Sequence, residues 1–224
     1  MTDFALDSLD LAALLCSRVC HDVISPVGAI VNGLEVLEDE QDAEMRSFAL
    51  ELIKKSARTA SARLQFCRLA FGAAGSAGAA IDTGDAEQVA RGLLVDDRTK
   101  LEWHAARVLM PKNKVKLALN LCLIAAAAIP RGGLIRVTVT GEAESTAIVV
   151  EASGTNARVA SHVPALLAGK PETGSVDAHG IQAYYTGLVA QACGMKLALT
   201  SSSEGMRIAA QPIDAEVLAE PTLA

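Results

Sequence analysis

His21 and Asp22 stand side by side, followed by Val23-Ile24-Ser25-Pro26. An imidazole near neutral pH keeps a free nitrogen lone pair and can attack phosphorus. A neighbouring carboxylate can accept a hydrogen bond from the ring, favour the reactive tautomer and stabilise charge that develops during transfer. Phosphoryl transfer asks mainly for in-line geometry and electrostatics, and the metal can sit in a partner's site. His21 is therefore the candidate phosphoacceptor and Asp22 its helper. Cys16, Cys20 and His21 would share one helical turn, but no fourth metal ligand accompanies them, so no metal is assigned to the chain.

These residues need a helix to present them. Residues 9–38 keep apolar positions at helical spacing: Leu11, Leu14, Leu15, Val19, Val23, Val27, Ile30, Leu34 and Leu37. Asp7 or Ser8 can cap the start. At about 100° per residue this stripe lies opposite His21, while Ser17, Ser25, Gly28 and Asn32 share its face. That small-residue face lets another protein approach closely, which makes Ser25, Gly28 and Asn32 candidate partner contacts. Arg18, one turn before the histidine, is a further one. Pro26 removes a backbone hydrogen bond and is expected to bend the helix just past His21.

An acidic turn at 38–44 leads to a second helix over 43–71, carried by Met45, Phe48, Leu52, Ala60, Leu64, Cys67 and Phe71, with Glu51 and Lys55 as a supporting pair. A lone hairpin cannot bury both its faces, so a partner hairpin and a four-helix bundle are expected. Lys54, Lys55, Arg58, Arg63 and Arg68 make the second helix basic, and such charges can steer docking to an acidic surface.

Gly72 to Gly84 reads as a linker. Asp85-Ala86-Glu87-Gln88 has capping-box spacing and is expected to open a short helix. Leu101 and Trp103 alternate as in a strand, and residues 111–129 form an apolar helix with Pro111 near its first turn. Strands are expected at 134–140, 146–152, 195–201 and 206–211, with helices near 162–168 and 179–192. The fold class is α+β: a helical hairpin over 1–78, an α/β sandwich over 79–214 and a poorly ordered tail over 215–224.

Composition narrows the function. The net charge is −6, which argues against nucleic acid as the main partner. Aromatics are only 3%, which suits close-packed helices better than an aromatic-lined pocket. Five cysteines, with no CxxC pair, read as reduced apolar residues. The first residues carry Asp3, Asp7 and Asp10 without a basic region, unlike a signal peptide. The apolar run from Leu117 to Ile129 is shorter than the roughly 20 residues a bilayer requires, so a core helix of a cytoplasmic protein with no membrane partner is expected.

The segment from His21 to Val27 resembles the H-box of sensor histidine kinases, and the rest resembles their ATP-binding domain of the Bergerat (GHKL) class. Asn120-Leu121-Cys122-Leu123-Ile124-Ala125 is laid out like the kinase N-box, and His179-Gly180-Ile181-Gln182-Ala183 like the last glycine box. The departures matter. Where kinases place a second asparagine for Mg²⁺ stands Ile124, which offers no ligand oxygen. Only Gly180 matches the glycine box. The adenine-reading motif appears as Glu151-Ala152-Ser153-Gly154-Thr155.

A histidine hairpin followed by a degenerate GHKL domain resembles the ChpT family of alphaproteobacterial histidine phosphotransferases. Val19–Pro26, Ala70-Phe71-Gly72-Ala73 and Ile129-Pro130-Arg131-Gly132-Gly133 carry that likeness. The family implies a homodimer without a bound cofactor. It takes phosphate from the Mg²⁺-containing receiver domain of a CckA-type hybrid kinase and delivers it to cell-cycle response regulators of the CtrA and CpdR type. An ATP-dependent kinase with an unusual nucleotide site and a receiver-binding scaffold without phosphate are the alternatives.

Overall fold

The computed structural model describes residues 4–72, 79–142 and 145–213. Two long helices come first, α1 (Ser8–Asp39) and α2 (Ala43–Ala70), in an antiparallel hairpin. Asp7 caps α1, accepting from the Leu9 N–H at 2.8 Å, and Asp42 caps α2 through Glu44 and Met45. Arg46 reaches back to the carbonyls of Leu37 and Glu40 and closes the turn. A Cβ on Gly33 would lie 2.7 Å from Ile53 Cγ1, so the bare backbone at 33 permits the close approach of α2. Glu51 pairs with Lys54 at 2.7 Å, not with the expected Lys55.

The apolar and small residues of α1 outline two seams, which share only Val27 and Leu34 with the expected stripe. One faces α2 and contains Pro26 and Gly33, the only buried residues of the helix. The other runs through Ile24, Val27, Val31 and Leu34, all exposed, with alternating steps of three and four. Such alternating spacing is that of the seams of helix bundles and coiled coils. By length and composition α1 could cross a membrane, and almost none of its most apolar stretch is buried. The helix runs unbroken through Pro26.

Regular structure resumes before Asp85, where the first helix of the second half is expected. Ala80–Asp82 is a strand, β1, within the stretch read as a linker; residues 73–78 of that stretch lie outside the described residues, as does the tail from 214. The next helix, α3 (Thr83–Leu94), is capped by Asp82, whose carboxylate accepts from the Gly84 N–H at 2.7 Å. Asp85, expected as the cap, falls in the first turn instead. β1 pairs with β3 (Leu109–Pro111), and Pro111 caps α4 (Lys112–Ala128) from outside the helix.

Five strands form the main sheet: β2 (Thr99–His104), β4 (Gly133–Thr140), β5 (Ala147–Ser153), β6 (Met195–Ser201) and β7 (Gly205–Pro212). Their order is β2-β4-β5-β7-β6, with β2 and β4 parallel and the remaining pairs antiparallel. The short helix α5 (Val163–Leu167) and α6 (Ile181–Ala192) complete the fold. Alternation sorts the sheet's two faces. Ile135, Val137, Ile148, Val150 and Ile208 are fully buried, whereas Arg136, Glu151 and Arg207 sit in register on the other face. Helix α4 lies at the centre, with Val115, Leu117, Leu119, Leu121 and Cys122 sealed from solvent. This is the α+β architecture expected, with the Leu117–Ile129 run in its core.

Candidate functional site: an exposed histidine on the first helix

The His21 side chain is 80% exposed near the middle of α1. Ser17, Ser25, Gly28 and Asn32 are exposed along the same face, and a Cβ on Gly28 would meet nothing within 4 Å. The face is therefore open to a docking protein. It lies between the seam turned to α2 and the open apolar seam.

Asp22 turns partly inward. Its Oδ2 accepts from Arg18 Nε at 3.0 Å, and its Oδ1 lies 3.8 Å from His21 Nδ1. The latter is too long for a hydrogen bond, though close enough for charge interaction. Arg18 is thus engaged with Asp22 in this structure. Arg63, grouped by sequence with the basic docking charges, is half-buried and donates from Nη1 to the Asp22 carbonyl. Behind these groups a cavity of about 190 Å³ lies between the hairpin and α3–α4, lined by Phe66, Cys67, Phe71 and Leu93 among others. Burial, followed by the Asp22 charge, pushes the Cys67 thiol up to about 11. It stays protonated at neutral pH and is no nucleophile.

The positions laid out like nucleotide boxes make contacts within the fold. Asn120 is fully buried. Its amide donates to the Ala70 carbonyl at 3.0 Å and to the Lys116 carbonyl at 2.9 Å, while Gln182 donates to the Asn120 carbonyl at 2.9 Å. The residue ties the end of α2 to α4 and α6. Ile124 is packed in the core. The bare side of Gly180 is filled by Leu166, whose Cδ1 would lie 2.9 Å from an added Cβ. The same point of Gly154 abuts the Gly132 carbonyl. Glu151 approaches Arg207 at 3.6 Å on the sheet's open face. A cavity of about 370 Å³ survives beside α5, but its lining includes Glu172, Asp177 and two histidines and neither lysine nor arginine.

Sequence reasoning also missed how the chain before α1 is held. The Leu6 N–H donates to Tyr184 Oη at 3.2 Å, and the Phe4 ring meets Tyr184 edge-on with centroids 5.6 Å apart. Two apolar residues so close to the chain's start give no periodic signal, so only the tertiary contact with α6 shows their purpose.

Comparison with known proteins agrees with this arrangement. The family model of the histidine phosphotransferase C-terminal domain matches residues 83–205. The protein phosphotransferase ChpT of Brucella abortus (strain 2308) is 50% identical over 206 residues, covering 92% of this chain and 97% of that protein. A solved bacterial phosphotransferase superposes with a TM-score of 0.85 at 46% identity, covering 94% of this chain and all of its own. The chain belongs to the ChpT family of histidine phosphotransferases.

Proposed function

We propose that His21 carries the phosphoryl group in a two-component phosphorelay. A receiver domain docks on the face formed by Ser25, Gly28 and Asn32, with Arg18 at its edge, and presents its aspartyl phosphate in line with the ring. The His21 lone pair forms the N–P bond as the P–O bond to the receiver's aspartate breaks. The receiver's carboxylate leaves, and the ring becomes a phosphoimidazolium. A small rotation brings Asp22 into hydrogen-bonding range of Nδ1, which leaves Nε2 as the outward nucleophile and offsets the ring's positive charge. Mg²⁺ belongs to the receiver's site. The reverse sequence on a second receiver returns the group to an aspartate. The natural partners on this reading are a hybrid-kinase receiver of the CckA type and response regulators of the CtrA and CpdR type.

The exposed imidazole beside a carboxylate, on a face of small residues, is the observation that carries this reading. The seam of Ile24, Val27, Val31 and Leu34 supports a homodimer in which a second hairpin completes a four-helix bundle. That arrangement suits α1 better than a bilayer, because Arg18, His21 and Asp22 interrupt the helix with polar groups. The protein then works in the cytoplasm. A cavity beside α5 lined by neither lysine nor arginine, with Leu166 against the bare side of Gly180, supports transfer without autokinase activity.

The test uses a phosphorylated receiver domain and the purified protein. Wild type should acquire acid-labile phosphate within seconds to minutes, whereas His21→Ala should acquire none while keeping its helical content and dimer. Normal transfer by His21→Ala would refute the assignment. Labelling by ATP and Mg²⁺ alone would establish a kinase instead.

A further inference from the structure

Pro26 has no N–H, so the carbonyl four residues earlier loses its partner within the helix. That carbonyl belongs to Asp22, the residue next to the phosphoacceptor. In the structure it is not left bare: Arg63 Nη1 of α2 donates to it. Pro26 is itself buried against α2, so the vacancy faces the second helix. Arg18 meanwhile holds the Asp22 carboxylate at 3.0 Å. Two guanidinium groups therefore grip one residue, one by its side chain and one by its main chain.

We infer that Arg63 is a positioning residue for phosphoryl transfer: it fills the hydrogen-bond vacancy created by Pro26 and so sets the angle at which His21 leaves the helix. The inference rests on His21 being the phosphoacceptor. A half-buried arginine aimed at a backbone carbonyl forty-one residues away is poorly placed for long-range steering. A charged donor makes a strong bond to a carbonyl that would otherwise lack a partner. The turn it fixes bears directly on the reacting atom, where misplacement by about 1 Å can cost up to about a hundredfold in rate.

A double-mutant cycle with Pro26 tests this. Arg63→Ala should lower the maximal rate of transfer from a phosphorylated receiver by about tenfold while the KM for the receiver stays within about twofold. Pro26→Ala restores an N–H at position 26, which can donate to the Asp22 carbonyl. The doubly substituted Pro26→Ala, Arg63→Ala protein should therefore transfer within about threefold of Pro26→Ala alone. Arg63→Lys, which keeps a cationic donor, should retain most of the rate and serves if Arg63→Ala does not fold. Amide hydrogen exchange over residues 22–30 gives a readout independent of activity: faster in Arg63→Ala, slowed again in the double variant. An equal rate loss from Arg63→Ala in the parent and in the Pro26→Ala background would overturn the inference, as would an effect confined to KM, which marks a docking charge. His21→Ala in the same assay separates the two readings, because its failure to abolish transfer indicts the histidine and leaves the exchange data to judge the Arg63 bond.

Discussion

The two halves of the molecule treat polar residues in opposite ways. On the hairpin, His21 projects into solvent and apolar Ile24, Val31 and Leu34 lie open beside it. In the α/β half, the positions laid out for nucleotide chemistry are withdrawn inside: Asn120 is sealed and fully hydrogen-bonded, and Leu166 fills the space beside Gly180. The contrast separates chemistry from support. The imidazole stays exposed on the hairpin, while the Asn120 amide is a joint between α2, α4 and α6. A buried amide can persist on those terms because all its groups are paired.

The sharpest way to break the comparison is at the open seam. If it is an interface, Val31→Glu with Leu34→Glu should place charges in a desolvated bundle core and convert the protein to a monomer, seen by sedimentation at micromolar concentration. An unchanged mass would leave the seam without a partner of its own kind. Next in size is the buried joint. Asn120→Ala removes a donor from the Ala70 carbonyl and an acceptor from Gln182, both inside the core, and should cost about 2–4 kcal/mol in urea unfolding. A cost near zero would mean that solvent already reaches this network.

Gly180→Ala probes the same half with a smaller effect. In a working nucleotide site, a methyl group beside the phosphates would abolish binding. Here it meets the flexible end of Leu166, so transfer from a phosphorylated receiver should stay within about twofold and stability should fall by about 1 kcal/mol. Loss of transfer with the fold intact would show that the glycine still serves a ligand.

The two halves also differed in how far they could be read from sequence. Helices α1 and α2 are long and periodic, so their extended spacing outweighs any local ambiguity, and the bounds fall within about a residue of expectation. His21 and its exposed neighbours follow from the same periodicity. The inner seam of Pro26 and Gly33 and the outer one of Ile24, Val27, Val31 and Leu34 do not, because only the position of α2 separates them. Strand β1 was hidden for a related reason: three residues gain their structure from pairing with Leu109–Pro111, far along the chain. Asp82 and Asp85 are both good cap residues, and the chain's exit from β1 decides between them. The inward turn of Asn120 had no local sign. The Arg63 bond had half of one: Pro26 announces a free carbonyl at Asp22 but not the donor that fills it.

The gentlest prediction concerns acid. Asp177 lies in the turn before α6 and accepts from the N–H groups of Gly180 at 2.7 Å and His179 at 3.0 Å. These bonds, with the Gly180 bond largest, hold its carboxyl below the ordinary aspartate range. Because the folded-state value is depressed, the ionised group stabilises the fold fully above the unfolded value, about 3.9, and progressively loses that contribution as the pH falls through the folded value. Asp177→Asn keeps an acceptor oxygen but no charge. It should be less stable than the parent by a few tenths to about 1 kcal/mol at pH 7, a modest sum for an exposed carboxylate in a turn. The gap should narrow as unfolding is measured at falling pH through and below the folded value, where the parent also becomes neutral. If the two proteins instead differ equally at both ends of that range, the carboxylate's charge contributes nothing, and the turn before α6 is held by shape alone.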